Sequence, residues 1–308
     1  MTMPAGLDPQ LARALAGAPY VGLEDPGTAR AAMRGLVAAL GEPEGDFRVE
    51  VADRTVAGAV PVRIYRPVRA AGPAPVLVYF HGGGFVTGDL ENEHGRCLAF
   101  AGEDGIAVVS VDYRLAPEHP FPAGLDDCYA VTAWAHAHAS GFGGDPDRLA
   151  VGGGSAGGAL AAAVALRARD RDGPPLAFQM LLYPVLDDRM DTPSMRAFTD
   201  PPLFNRTDAA HMWRHYLGGR PATAYAAPAR AGDLAGLPPA YVLAAELDPL
   251  RDEALEYARR LIEAGVPTEL RHMAGVCHGF DGILAADAAR RAFAEQREVL
   301  RRYLWTPR

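Results

Sequence analysis

The stretch LAVGGGSAGGALAAAVAL, residues 149–166, constrains the fold more than any other part of the chain. Leu149 to Val151 is a short apolar run of the kind a buried strand presents, and the alanine-rich stretch after Ser155 has high helix propensity. Five glycines lie between and just after them. The turn carries two overlapping fingerprints. Gly152, Gly154 and Gly157 spell the G-x-G-x-x-G of a dinucleotide-binding turn, while Gly153, Ser155 and Gly157 spell the G-x-S-x-G of a nucleophile elbow.

The same alternation of strand and helix runs through most of the sequence. Strands are expected at Phe47 to Ala52, Val60 to Tyr65, Val76 to Phe80, Ala107 to Val111, Leu149 to Val151, Leu176 to Tyr183, Ala240 to Ala245 and Thr268 to Met273. Helices are expected near residues 92–103, 123–139, 156–170, 251–264 and 284–303. This order implies an α/β fold with a mostly parallel sheet covered on both faces, antiparallel only where the first two strands follow each other directly. Sites in such sheets sit at the C-terminal strand ends. Two stretches stand outside the alternation. Residues 1–45 carry Leu7, Leu11 and Leu15, then Met33, Leu36, Val37 and Leu40, at helical spacing. Residues 187–235 carry a proline-rich segment and a helix-like run with Met212, Trp213, Tyr216 and Leu217. The expectation is a core of residues 46–186 and 236–308, with the two outside stretches meeting as a helical cap over the strand ends.

Composition removes several functions. The chain has 308 residues and a formal net charge of -8, so it offers no basic surface to a nucleic acid. It contains no lysine, which excludes a Walker A phosphate loop, a Schiff-base enzyme and a Ser-Lys dyad. Neither a basic leader with a long apolar stretch nor an apolar run of membrane-spanning length is present, and a cytoplasmic location is expected. Cys97, Cys128 and Cys277 are too few and too scattered for a disulfide framework or a zinc site; no metal is implied.

The rest of the chain decides between the two fingerprints. A dinucleotide turn calls for an acidic residue about 20 positions on, at the C-terminal end of the next strand. Asp170 and Asp172 have that separation but precede their strand, which puts them at the wrong end of the sheet. A nucleophile elbow calls instead for a histidine base, an acid to orient it and donors for an oxyanion, in the chain order Ser, Asp or Glu, His. Asp248 follows an expected strand in LAAELDPLRDE, and His278 follows the last one in GVCHGFDG. Gly82 to Gly84 follow the strand VLVYF and can supply backbone amides, with Ala156 as the partner donor. Because such a base works only when neutral, the rate should fall on acidification through ~6.5.

These residues carry a family resemblance. The segments YFHGGGFVTGD, VSVDYRLAPEHPFPAGLDD, GGGSAGG, DPLRDE and HGF, spread over residues 79–280, are similar to those of the hormone-sensitive-lipase-like group of α/β-hydrolases, the bacterial family IV carboxylesterases. The resemblance implies Ser155 as nucleophile, Asp248 as acid and His278 as base, with Glu246 and Asp252 as rival acids. It implies Gly83, Gly84 and Ala156 as oxyanion donors, an eight-stranded sheet, no cofactor or metal, and small esters of short to medium acyl chain as substrates. Phe85, Phe204, Trp213 and Tyr216 are candidates for the pocket lining, with core packing as the plainer reading of each. An amidase or aryl formamidase would use the same residues; a ligand receptor on this fold, which arises by loss of the histidine, is disfavoured by His278. Nothing in the residues requires a homodimer, although the last helix and strand can form one in relatives. One departure is visible: where the family usually has Asp immediately before the serine, this chain has Gly154.

Overall fold

The computed structural model describes residues 4–17, 21–40, 45, 47–68 and 72–305, apart from the side chains of residues 39 and 40. Strands β1 (Val49–Val56), β2 (Val60–Pro67), β3 (Ala74–Phe80), β4 (Ala107–Val111), β5 (Gly144–Gly154), β6 (Phe178–Leu182), β7 (Ala240–Leu247) and β8 (Thr268–Cys277) form one sheet of eight in the order β1-β2-β4-β3-β5-β6-β7-β8. β2 is antiparallel to both β1 and β4, and every other pair is parallel. The strand carrying the glycine-rich turn, β5, is therefore central, with β3 on one side and β6 on the other.

Every residue of β3 is buried, as a strand covered on both faces requires. Its side chains divide with the period of two: Val76, Val78 and Phe80 enter one apolar cluster, Leu77 and Tyr79 the other. Helices α1 (Pro9–Leu15), α3 (His94–Gly102) and α9 (Asp287–Trp305) bury Leu11, Phe100 and Leu300 in the Leu77 cluster. Helices α4 (Ala123–His138), α5 (Ala156–Asp170) and α8 (Arg251–Glu263) bury Val131, Leu160 and Leu261 in the Val78 cluster.

The expected elements are present, with shifted ends. β5 begins at Gly144 rather than Leu149, because Ala74 of β3 pairs with Gly144 ahead of the apolar run. β1 runs to Val56, its exposed polar residues paired in register with β2. Leu7 precedes α1, which is capped by the Asp8 carboxylate accepting the Gln10 N–H at 2.8 Å. Leu7, Leu11 and Leu15 are all buried. Helix α2 (Pro26–Leu40) confirms the second helical spacing, but Met33, Leu36 and Val37 remain partly exposed. The Leu40 side chain, and residues 41–44 and 46 at the expected boundary near 45, lie outside the described residues.

The segment after β6 contributes α6 (Pro193–Ala197) and α7 (Arg206–Leu217), the latter capped by Asn205. It meets the N-terminal segment directly. The Leu23 N–H donates to Asp208 Oδ1 at 3.2 Å, and His215 Nε2 donates to Leu23 O at 3.1 Å. Arg30, on α2, donates from Nε to Val86 O at 2.8 Å and from Nη2 to Ala116 O at 2.9 Å, and forks onto both oxygens of Glu118. This fork holds the Glu118 carboxyl down at about 2, and it ties α2 to the loop between β4 and α4.

Candidate active site

The turn from β5 into α5 is built on close approach. A Cβ on Gly157 would lie 2.0 Å from Phe80 O, and one on Gly153 would lie 2.5 Å from the same oxygen, so only glycine lets α5 start this near β3. Ser155 itself takes φ 58° and ψ -118°, a backbone conformation that side chains disfavour. The surroundings hold it there: its N–H donates to Leu182 O at 2.9 Å, and its carbonyl accepts from Ala159 at 3.1 Å and Val185 at 3.2 Å. The strained turn lifts the hydroxyl off the end of β5.

His278 follows β8 and Asp248 follows β7, so sheet order brings both toward the serine. His278 Nε2 lies 2.9 Å from Ser155 Oγ, and Nδ1 lies 2.7 Å from Asp248 Oδ2. The Asp248 carboxylate is fully buried, and its other oxygen accepts the Leu250 N–H at 2.9 Å. An ionised carboxylate only accepts, so Nδ1 carries the ring proton and Nε2 is left to accept from the serine hydroxyl. The rival acids are occupied elsewhere: Glu246 accepts the Gly275 N–H at 2.6 Å, and Asp252 accepts the Ser194 N–H at 2.7 Å.

The glycine loop lies beside this line, a Cβ on Gly82 falling 3.7 Å from Ser155 Cβ. Gly83 has φ 114°, and its carbonyl accepts from Val86 and Thr87, which folds the loop into a tight turn. Among the described residues, the N–H groups of Gly83, Gly84 and Ala156 donate to no protein oxygen. His81 anchors the loop: its Nδ1 donates to Gly82 O at 2.7 Å, and its ring stacks on Tyr113 with centroids 4.2 Å apart. Burial pushes this imidazole down to about 4, so it is neutral and structural.

The four pocket candidates separate. Phe204 packs on the His278 ring, centroids 4.9 Å apart, and so borders the site. Phe85 stacks on Tyr216 at 3.7 Å and leans on Trp213 at 6.2 Å; with these two residues of α7 it forms a buried aromatic group. Cys277 is fully buried, its thiol pushed up to about 12 by burial, which keeps it protonated beside the histidine. Cys97 and Cys128 are buried apolar residues. His94 starts α3 and meets the Tyr65 hydroxyl at 2.8 Å. Sequence reading did not find Tyr183, whose ring stands edge-on to His278 with centroids 4.9 Å apart; nothing local marks it, because the contact is made only through the fold.

A mostly parallel sheet flanked by helices, with Ser155, His278 and Asp248 brought into one hydrogen-bonded line beyond its C-terminal strand ends, has the architecture of an α/β-type hydrolase. Residues 77–282 match the family model for the α/β hydrolase fold. The chain belongs to the α/β-hydrolase family, among its hormone-sensitive-lipase-like carboxylesterases, which are serine hydrolases. It is 44% identical over 263 residues to Esterase LipI of Mycobacterium tuberculosis, covering 82% of each chain. Among solved structures it resembles a bacterial heroin esterase, with a TM-score of 0.94 at 45% identity over 97% of this chain and 98% of that one. It also resembles esterase LipW from Mycobacterium marinum, with a TM-score of 0.90 at 44% identity over 99% of each.

Proposed function

We propose that the chain is a carboxylesterase that hydrolyses small esters of short to medium acyl chain through an acyl-enzyme. The observation that carries this reading is the unbroken line from Asp248 through His278 to Ser155, with both bonds shorter than 3 Å. In the proposed cycle His278 Nε2 takes the proton of Ser155 as Oγ attacks the ester carbonyl. The N–H groups of Gly83, Gly84 and Ala156 receive the oxyanion, and His278 returns the proton to the departing alcohol. Water then enters with His278 as base, and the acid leaves Ser155. Asp248 fixes the tautomer of His278 and offsets its transient positive charge.

The division of labour proposed for the chain is a core of residues 46–186 and 236–308 and a cap of residues 1–45 and 187–235. The direct bonds from Leu23 to Asp208 and His215 support it. Such a cap excludes water from the tetrahedral intermediate and, through Phe204, bounds the substrate. No helix among the described residues is long and apolar enough to cross a membrane. The test is the hydrolysis of p-nitrophenyl butanoate by the wild-type protein beside Ser155→Ala: turnover by the first and none by the second is expected, and equal rates would remove the reading.

A further inference from the structure

Gly154 leaves room that another part of the chain has filled. A Cβ at this position would lie 3.1 Å from the Tyr183 hydroxyl and 3.2 Å from its Cε2, so the tyrosine ring occupies the space a side chain before the serine would need. Tyr183, just after β6, is itself held at φ 37°, an unfavourable value for a bulky residue. Its hydroxyl donates to Asp281 Oδ1 at 2.5 Å, and its ring edge meets the His278 imidazole. Burial and the neighbouring Asp281 push the phenol well above its ordinary range, so it remains a donor.

Asp281 is 1% exposed and is held from several sides. Gln296, on α9, donates to its Oδ2 at 2.7 Å, and Arg96, on α3, approaches the same oxygen at 3.2 Å. Arg96 also pairs with Glu93 at 2.9 Å, a carboxyl that burial raises. Besides these, Tyr79 of β3 faces Asp281, its phenol buried and pushed well above its ordinary range, and Cys97 of α3 faces Arg96 and Glu93, its thiol pushed up by burial. Arg96 and Gln296 fix Asp281 in place, and the part of this group that touches the histidine is the tyrosine ring.

We propose that Asp281, acting through Tyr183, is a positioning residue of the reaction, supplying from beyond the histidine the carboxylate that the family usually carries immediately before the serine. The Tyr183–Asp281 pair holds one face of the His278 surroundings rigid while Phe204 packs against the ring, so the imidazole keeps its line to Ser155 Oγ through both proton transfers. This rests on His278 being the base.

The test compares p-nitrophenyl butanoate kinetics of Tyr183→Phe, Asp281→Ala, Gly154→Asp and the pair Gly154→Asp with Asp281→Ala, beside wild type and Ser155→Ala. Tyr183→Phe and Asp281→Ala should each lower kcat about tenfold at nearly constant KM, and combining them should lower it no further. Gly154→Asp alone brings a second carboxylate to the Tyr183 hydroxyl but must also push back the ring, which its Cβ would meet at 3.1 to 3.4 Å, and it should lower kcat as well. With Asp281→Ala it should recover most of the lost rate, because the tyrosine regains one carboxylate partner; a residue of purely structural value would not be rescued from across the turn. Should Asp281→Ala fail to fold, Tyr183→Phe decides alone, since it leaves every charge in place. A wild-type kcat for Tyr183→Phe, or a paired variant no faster than Asp281→Ala, overturns the proposal. In either case an active wild type with an inactive Ser155→Ala leaves the esterase reading intact, whereas equal rates for those two remove both.

Discussion

Gly157 lies so close to Phe80 that a methyl group at its α-carbon would fall 2.0 Å from the Phe80 carbonyl oxygen. The oxygen is backbone in the centre of the sheet and cannot swing aside, so Gly157→Ala must push α5 away from β3. A loss of about 2 to 3 kcal/mol in unfolding free energy is expected, the range for overpacking a close-packed interior. Gly232→Ala, where a Cβ meets nothing within 4 Å, should change stability by less than about 0.5 kcal/mol. Urea unfolding of both variants checks this; similar midpoints for the two would show that the interface yields.

Asp248→Asn keeps the shape of the site but offers an amide where Nδ1 needs an acceptor. The histidine then presents the wrong tautomer to Ser155, and kcat should fall ~10⁴-fold with the fold intact. Initial rates together with circular dichroism test this. A loss of less than tenfold would move the role of acid to another residue.

The buried His81 ring makes acid stability predictable. The unfolded chain takes up a proton at this position near ~6.5, whereas the folded protein refuses it down to about 4. Between those values the unfolded state binds more protons, so stability falls as pH falls and the loss at pH 4 reaches about 3 kcal/mol. Proton NMR of the ring resonances gives the direct reading: His81 should keep its neutral-form shift to pH 5. A midpoint near 6.5 would mean that the ring is hydrated in solution.

Phe204 is the pocket candidate that touches the histidine. Phe204→Ala opens space beside the base, so KM for longer p-nitrophenyl esters should drop relative to the butanoate, while kcat on the butanoate changes less than tenfold. An unchanged chain-length profile would place the limiting wall elsewhere.

All eight strands could be located from the sequence because β-branched and aromatic runs recur between glycine and proline punctuation, as at Val76 to Phe80. That Ser155, Asp248 and His278 would come together was legible for a related reason: each falls just after a strand, at the end of the sheet where such folds gather loop side chains. What stayed hidden depends on contacts between distant parts of the chain. Gly144 joins β5 because Ala74 pairs with it, not because its own neighbours are apolar. Phe85, Trp213 and Tyr216 could be named as aromatic but not sorted from Phe204, since stacking within the aromatic group and contact with His278 look alike in sequence. Tyr183 and Asp281, 98 positions apart, meet only in the folded protein.

The order of the sheet also has a consequence in time. Ser155 lies after β5 and His278 after β8, so a growing chain carries the serine for more than a hundred residues before the histidine proposed as its base has been made. Under the proposed chemistry an unfinished or C-terminally clipped polypeptide is inert toward esters. Hydrolytic competence then requires β8 to dock against β7, so it reports that the sheet has assembled out to this edge.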